Sequence, residues 1–159
     1  MNPSTILITG ANRGLGLKFA ELYAQKHFQV IATCRDIDSA DQLTSMAKRY
    51  SNIQILTLDV AQSESIQMLA DKLKGLPIDI LINNAGIWRS SSLGSVNKEA
   101  WLESFTTNTI APYEIACTFL PHIMDGVLKK VVSVTSKMGS IDDNTSGGSY
   151  IYRSSKSVL

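Results

Sequence analysis

A chain of 159 residues is long enough for one domain around one sizeable core. With 44% hydrophobic and 18% charged residues its composition is globular and not disordered, and a net charge of +1 gives no electrostatic case for nucleic acid or a membrane surface. No apolar run is long enough for a spanning helix or a signal peptide, so no membrane association and a cytoplasmic location are expected. Cys34 and Cys117 each stand alone in an apolar run and read as buried, reduced thiols. His27 and His122 lack ligand-like spacing, so no metal site is expected.

Strand-length apolar runs alternate with helix-length amphipathic segments. Thr5–Thr9 reads as a first strand. A helix follows from Gly14 to His27, with Leu15, Phe19, Leu22 and Tyr23 on one face. Gln29–Cys34 is a second strand, Ser39–Tyr50 a helix with Ser39 as N-cap, and Ile53–Leu58 a third strand. Ser63–Leu73 is helical, Pro77 interrupts the chain, and Asp79–Ile82 is a short fourth strand. Lys98–Ile123 reads as a long helix bent near Pro112, and Lys130–Thr135 as a fifth strand. Lys137–Ser149, rich in Gly, Ser, Asp and Asn, is a loop, and a last helix begins near Ser149 or Tyr150. The alternation predicts an α/β fold, a doubly wound parallel sheet of the Rossmann type with ligands at the carboxyl ends of the strands.

Two motifs carry chemistry. Thr9-Gly10-Ala11-Asn12-Arg13-Gly14-Leu15-Gly16 joins the first strand to the first helix. Gly10 permits a tight turn, and Gly14 and Gly16 are expected to let the backbone approach a pyrophosphate at the helix N-terminus. The spacing is Gly-x-x-x-Gly-x-Gly, which is not the commoner Gly-x-Gly-x-x-Gly pattern. Tyr152 and Lys156 lie four apart, on one helix face, where a cation favours the ionised form of a phenol. That pair suits proton donation to a carbonyl, although a solvated Tyr/Lys pair one turn apart is equally compatible with the spacing alone.

With Asp59-Val60 after the third strand, Asn83-Asn84-Ala85-Gly86 after the fourth, Asn108 in the long helix and Ser136 after the fifth, the chain resembles the short-chain dehydrogenase/reductase family over nearly its whole length. The text from Met138 through Asn144-Thr145 and Gly147-Gly148 to Lys156 resembles the sniffer-like carbonyl reductases and C-factor proteins. The resemblance implies that the glycine turn (Gly10, Asn12, Arg13, Gly14, Leu15 and Gly16), Asp59 and Val60 at the adenine, and Asn84, Ala85 and Gly86 beside the sheet bind a dinucleotide. It implies a tetrad in which Tyr152 donates the proton, Lys156 holds the ribose, Ser136 bonds the substrate oxygen and Asn108 holds a water. Read without the family, Ser136 is also a possible turn or cap residue, and Asn108 a possible backbone cap. Met138 and Trp88 read as packing residues, and Trp101 as core with Phe105.

The position that would hold an acid for NAD is Cys34, followed by Arg35, with Arg13 nearby in the glycine turn. Two guanidinium groups suit a 2′-phosphate, so NADP is expected; Asp36, near the spacing of a ribose-binding acid, keeps NAD possible. The function expected is NADP-dependent hydride transfer between a small carbonyl and its alcohol. The alternatives are a C-factor-like signalling or regulatory protein that binds the cofactor, and a cofactor-binding module without turnover. Ser136 and Tyr152 are separated more widely than is usual in the family, and the extra residues, Ser140–Ser149, are expected to form a loop over the cleft that shapes substrate access. Compared with the family, residues 1–159 read as a single dinucleotide-binding domain cut within the last helix. The cut would leave the fifth strand at a sheet edge and turnover poor. A homodimer through the long helix and the last helix is expected of the intact protein.

Overall fold

The computed structural model describes residues 3–159. Five strands form one parallel sheet: β1 (Thr5–Ile8), β2 (Gln29–Cys34), β3 (Ile53–Thr57), β4 (Ile80–Asn83) and β5 (Lys130–Ser133), in the spatial order β3-β2-β1-β4-β5. The chain steps outward from β1 to β3, then crosses back to place β4 on the other side of β1. That reversal opens a crevice at the carboxyl ends of β1 and β4. The doubly wound α/β sheet expected from the alternation is therefore present.

Side-chain alternation supplies both faces of the sheet. Ile6 and Ile8 point into one cluster with Ala20, Ala24, Val30, Ala32, Leu43 and Ile82, beneath α1 (Gly14–Gln25) and α2 (Asp41–Arg49). Leu7 points into the other with Ile31, Leu56, Ile66, Leu81, Ile115 and Phe119, beneath α3 (Ser63–Lys72) and the helical run that follows β4. Both faces of β1 are buried, which is why its sequence is continuously apolar and not alternating. β5 pairs only with β4, and all four of its residues are exposed.

Several local expectations need correction. The buried face of α1 is Gly16, Ala20 and Ala24, while Leu15 and Leu22 are exposed. Small residues let this helix sit close to the sheet; of the four large residues expected on its core face, Phe19 and Tyr23 pack half-buried against the cluster and Leu15 and Leu22 do not. Ser39 does not cap α2: the helix starts at Asp41 without a side-chain cap, and the Ser39 hydroxyl donates to the Asp36 carbonyl. Cys117 is exposed, whereas Cys34 is buried as expected.

The long helix after β4 is broken into α4 (Lys98–Phe105), a π-helical turn (Thr106–Ile110), α5 (Ala111–Thr118) and α6 (Leu120–Asp125). Asn97 caps α4, its side chain accepting from the Ala100 N–H. The widening precedes Pro112, which has no N–H to give the Asn108 carbonyl four residues back. The distortion thus lies one turn before the expected bend, and Asn108 sits inside it. The last helix, α7, spans Tyr150–Lys156.

Asp79 fastens the β4 end of the sheet. Its carboxylate accepts from the Thr5 N–H at 2.8 Å and from the Val127 and Leu128 N–H groups at 2.8 and 3.1 Å. Burial alone would raise its pKa, but the bonds from Thr5, Leu128 and Val127 outweigh that and hold it below the usual carboxylate value. A depressed folded value means the stabilisation is complete above the unfolded carboxyl value of about 3.9 and is lost as pH falls through the folded one. Asp79→Asn is expected to cost about 2–4 kcal/mol at neutral pH. Thermal melts of both proteins should begin to converge as pH falls below about 4 and meet only below the lowered folded value, where the native aspartic acid is itself neutral. A difference that persists undiminished to pH 2 would contradict the assignment.

Candidate functional site

The crevice at the switch point is a cleft of about 880 Å³. It runs from the glycine turn past the ends of β2 and β3 to Ser136, Tyr152 and Lys156.

The turn is held by its neighbours. Gly10 takes φ 64° and the Asn84 side-chain amide donates to the Thr9 and Gly10 carbonyls at 2.9 and 3.0 Å. The Thr9 hydroxyl accepts from the Asn84 and Ala85 N–H groups, both at 3.0 Å. These bonds tie the end of β1 to the end of β4. Gly14 has φ 57°, and a Cβ there would meet no atom within 4 Å, so the space in front of it is open. Gly16 differs: a Cβ would collide with the Gly10 carbonyl and the Asn84 amide. Its missing side chain lets the helix seat on the turn, and only its N–H is left to meet a ligand. The α1 N-terminus has no side-chain cap and no acidic residue in its first turn, so its free N–H groups and dipole face the cleft unneutralised. Arg13, Leu15 and Asn12 line this end.

At the end of β2 the cleft meets Cys34, Arg35, Asp36 and Ser39. The Asp36 carboxylate accepts from the Asp38 N–H at 3.0 Å, turned into its own loop. Burial, then the nearby Asp36 carboxylate, push the Cys34 thiol up from its usual value. Asp59 and Val60 line the adjoining wall, where the Asp59 carboxylate accepts from Ala61 N–H at 3.0 Å.

At the other end, Asn108 is fully buried, and its side chain is committed. Its amide donates to the Ile87 carbonyl at 2.8 Å and to Ser155 Oγ at 2.9 Å, and its oxygen accepts from the Ile87 N–H at 2.8 Å. It therefore joins the strand-β4 loop to α7. Trp101 does the same from α4, donating its indole N–H to Ser154 Oγ at 2.8 Å, so it is a half-buried strut and not core. Ser136 Oγ accepts from the Met138 N–H at 3.2 Å, capping a short 3₁₀ turn (Lys137–Gly139), and also lines the cleft. Lys156 is buried, and desolvation holds its amine below the usual lysine value. That amine donates to the Val134 carbonyl at 2.9 Å, so the hydrogen bond seen is to the backbone and not to Tyr152.

Two expectations about the mouth are overturned. Trp88 is not packed: it is 57% exposed and lines the cleft, beside Glu103, whose carboxylate is held by Arg89 at 2.9–3.1 Å. No residue of 137–149 lines the cleft, because that segment folds back on α7. Ser91, Ser155 and Trp101 are struts that periodicity does not reveal; each is recognisable only through partners more than 40 positions away.

An open parallel sheet with a glycine turn at its switch point, and Ser136, Tyr152 and Lys156 at the far end of the same cleft, defines a dinucleotide-binding architecture. The family model described as short chain dehydrogenase matches residues 4–159, and the chain belongs to that family. It is 34% identical to the NADPH-bound carbonyl reductase from chicken fatty liver, with a TM-score of 0.90 covering 100% of this chain and 71% of that one. To carbonyl reductase Sniffer of D. melanogaster the identity is 34% and the TM-score 0.88, covering 99% and 71%. The "C-signal" of Myxococcus xanthus is 43% identical over 86 residues, 52% of this chain and 51% of that protein. The chain spans between about half and two thirds of the length of the curated relatives it matches.

The two glycines should separate by mechanism. Gly14→Ala pays only for a left-handed backbone, about 1–2 kcal/mol. Gly16→Ala must also move backbone and is expected to cost about 3 kcal/mol or more. Thermal melts that rank Gly14→Ala as the more damaging would contradict this division of roles.

Proposed function

We propose that the protein is an NADP(H)-dependent reductase of small carbonyl compounds. The observation that carries this reading is continuity: one cleft joins the α1 N-terminus, Arg13 and Arg35 to Ser136, Tyr152 and Lys156. The cleft suits a dinucleotide, since the space before Gly14 is open and the helix terminus facing it is uncapped. Gly14–Gly16 N–H groups receive the pyrophosphate, Asp59 and Val60 flank the adenine, and Asn84, Ala85 and Gly86 form the floor beneath the nicotinamide side. Arg13 and Arg35 hold the 2′-phosphate, which favours NADP over NAD. The NADPH-bound state of the chicken carbonyl reductase supports this preference.

When bound, the cofactor supplies the hydride. The chain's own residues handle the proton and the charge. Ser136 Oγ and the Tyr152 hydroxyl bond the substrate oxygen, and Tyr152 donates its proton as negative charge grows there. Lys156 leaves the Val134 carbonyl for the ribose and steadies Tyr152 electrostatically. Asn108 serves through its main-chain carbonyl, which Pro112 cannot engage and which is the group available to a water. Trp88 and Glu103 form the substrate's approach.

The protein works as a homodimer in the cytoplasm in this reading. Exposed Leu102, Ile110, Tyr113, Leu120 and Met124 on α4–α6 supply an apolar face, and two free thiols fit a reducing compartment. A signalling role that uses the bound cofactor has the C-signal similarity in its favour.

Tyr152→Phe is expected to lower turnover of small aldehydes and ketones by about 10²–10⁴-fold while NADPH affinity changes little. An effect on cells that survives this variant would favour the signalling role. In fluorescence titrations, Arg35→Ala is expected to weaken NADPH binding by about 10- to 100-fold and leave NADH binding unchanged. Equal losses for both cofactors would remove the 2′-phosphate assignment.

A further inference from the structure

Segment 137–149 separates Ser136 from the helix that carries Tyr152, and it is fastened to that helix along its length. Near its start, Gly139 lies against α7 so closely that a Cβ there would stand 2.6 Å from the Lys156 carbonyl oxygen. In its middle, Arg153 Nη1 donates to the Asp143 carbonyl at 2.9 Å and Nη2 to Ser146 Oγ at 3.3 Å. At its end, Gly147, Gly148 and Ser149 take φ of 62°, 65° and 49° in succession. There the Ser91 carbonyl accepts from the Ser149 N–H, and its hydroxyl from the Ile151 N–H.

These fastenings differ in kind. The Lys137–Asp143 ion pair, at 3.4 Å, lies within the segment, is solvated and does not hold it to α7. Ser149 is a strained, left-handed residue, a conformation that persists only where surrounding contacts over-determine it. Arg153 is the side chain that reaches from α7 across to the middle of the segment. Its Nε is buried without a partner, so this arginine is held in place at a desolvation cost.

We infer that Arg153 is a positioning residue. It clasps segment 137–149 onto α7 and so fixes the spacing between Ser136, at one end of the segment, and Tyr152, just beyond the other. The consequence for turnover rests on the reductase reading; the clasp itself does not. Ser136 and Tyr152 must meet one substrate oxygen, and a displacement of about 1 Å in such a pair costs on the order of a hundredfold in rate.

The test compares wild type, Arg153→Ala, Arg153→Lys and Ser146→Ala in the full chain. Endoproteinase Asp-N cleavage before Asp142 and Asp143 is followed by mass spectrometry, alongside NADPH titration and steady-state kinetics. Arg153→Ala is expected to raise cleavage there at least tenfold and to lower kcat at least tenfold. NADPH affinity should change less than twofold, and Arg153→Lys should recover part of both losses. Should Arg153→Ala not fold, Ser146→Ala carries the comparison, with a smaller rise in cleavage and a smaller fall in kcat expected. Unchanged cleavage overturns the clasp, and raised cleavage with unchanged kcat overturns the positioning role. A wild-type chain that binds NADPH but reduces no carbonyl removes the reductase reading; the clasp is then decided by cleavage alone, a rise supporting it and no change overturning it.

Discussion

The bond set between Thr9, Asn84 and the Gly10 carbonyl governs the rest of the structure. β1 and β4 are far apart in sequence and adjacent in the sheet, and their carboxyl ends must be joined without filling the crevice between them. The Thr9 hydroxyl and the Asn84 amide do this with four bonds of 2.9–3.0 Å, all to backbone groups. Gly16 then has to be glycine because α1 lands directly on this junction. The outcome is a helix N-terminus aimed into an open cleft, which is the precondition for holding an anionic cofactor.

A second junction does the equivalent work at the reaction end. Asn108 binds the loop after β4 on one side and Ser155 of α7 on the other, while Trp101 and Thr109 add bonds to Ser154 and to the Ser155 carbonyl. The π-helical turn makes this possible by widening the helix where Asn108 must face inward. α7 has only seven residues and would be marginal alone. Its order comes from these side chains and from the segment wrapped around it. Rigidity at Tyr152 is therefore a tertiary property, assembled from α4, the π turn and the loop after β4.

Strand positions are readable in the sequence because both sheet faces are buried, and continuous apolar runs such as Ile6-Leu7-Ile8 have few other uses. The glycine turn is readable because its backbone demands are peculiar to glycine. Side-chain size is the poorer guide. In α1 the alanines are the fully buried side chains, Phe19 and Tyr23 pack half-buried beside them, and Leu15 and Leu22 face out, because close helix–sheet approach favours small groups. The bulk of Trp88 suggests packing, yet it stands at the cleft mouth. The extra length of Ser140–Ser149 suggests a cover over the cleft, whereas the segment is bonded to α7 through Arg153, a partnership that local pattern does not reveal. Long-range hydrogen bonds from Ser91, Trp101 and Ser155 leave no periodic trace in the sequence for the same reason.

The central claim is that one cleft brings a dinucleotide and the Ser136–Tyr152–Lys156 group together. A crystal structure of the protein with NADPH tests it most directly. The account predicts pyrophosphate oxygens on the Gly14–Gly16 N–H groups, the 2′-phosphate against Arg35, and the Lys156 amine moved from the Val134 carbonyl to the nicotinamide ribose. A cofactor bound elsewhere, or one seated with Lys156 still bonded to Val134 and Tyr152 facing away from the nicotinamide, would contradict it.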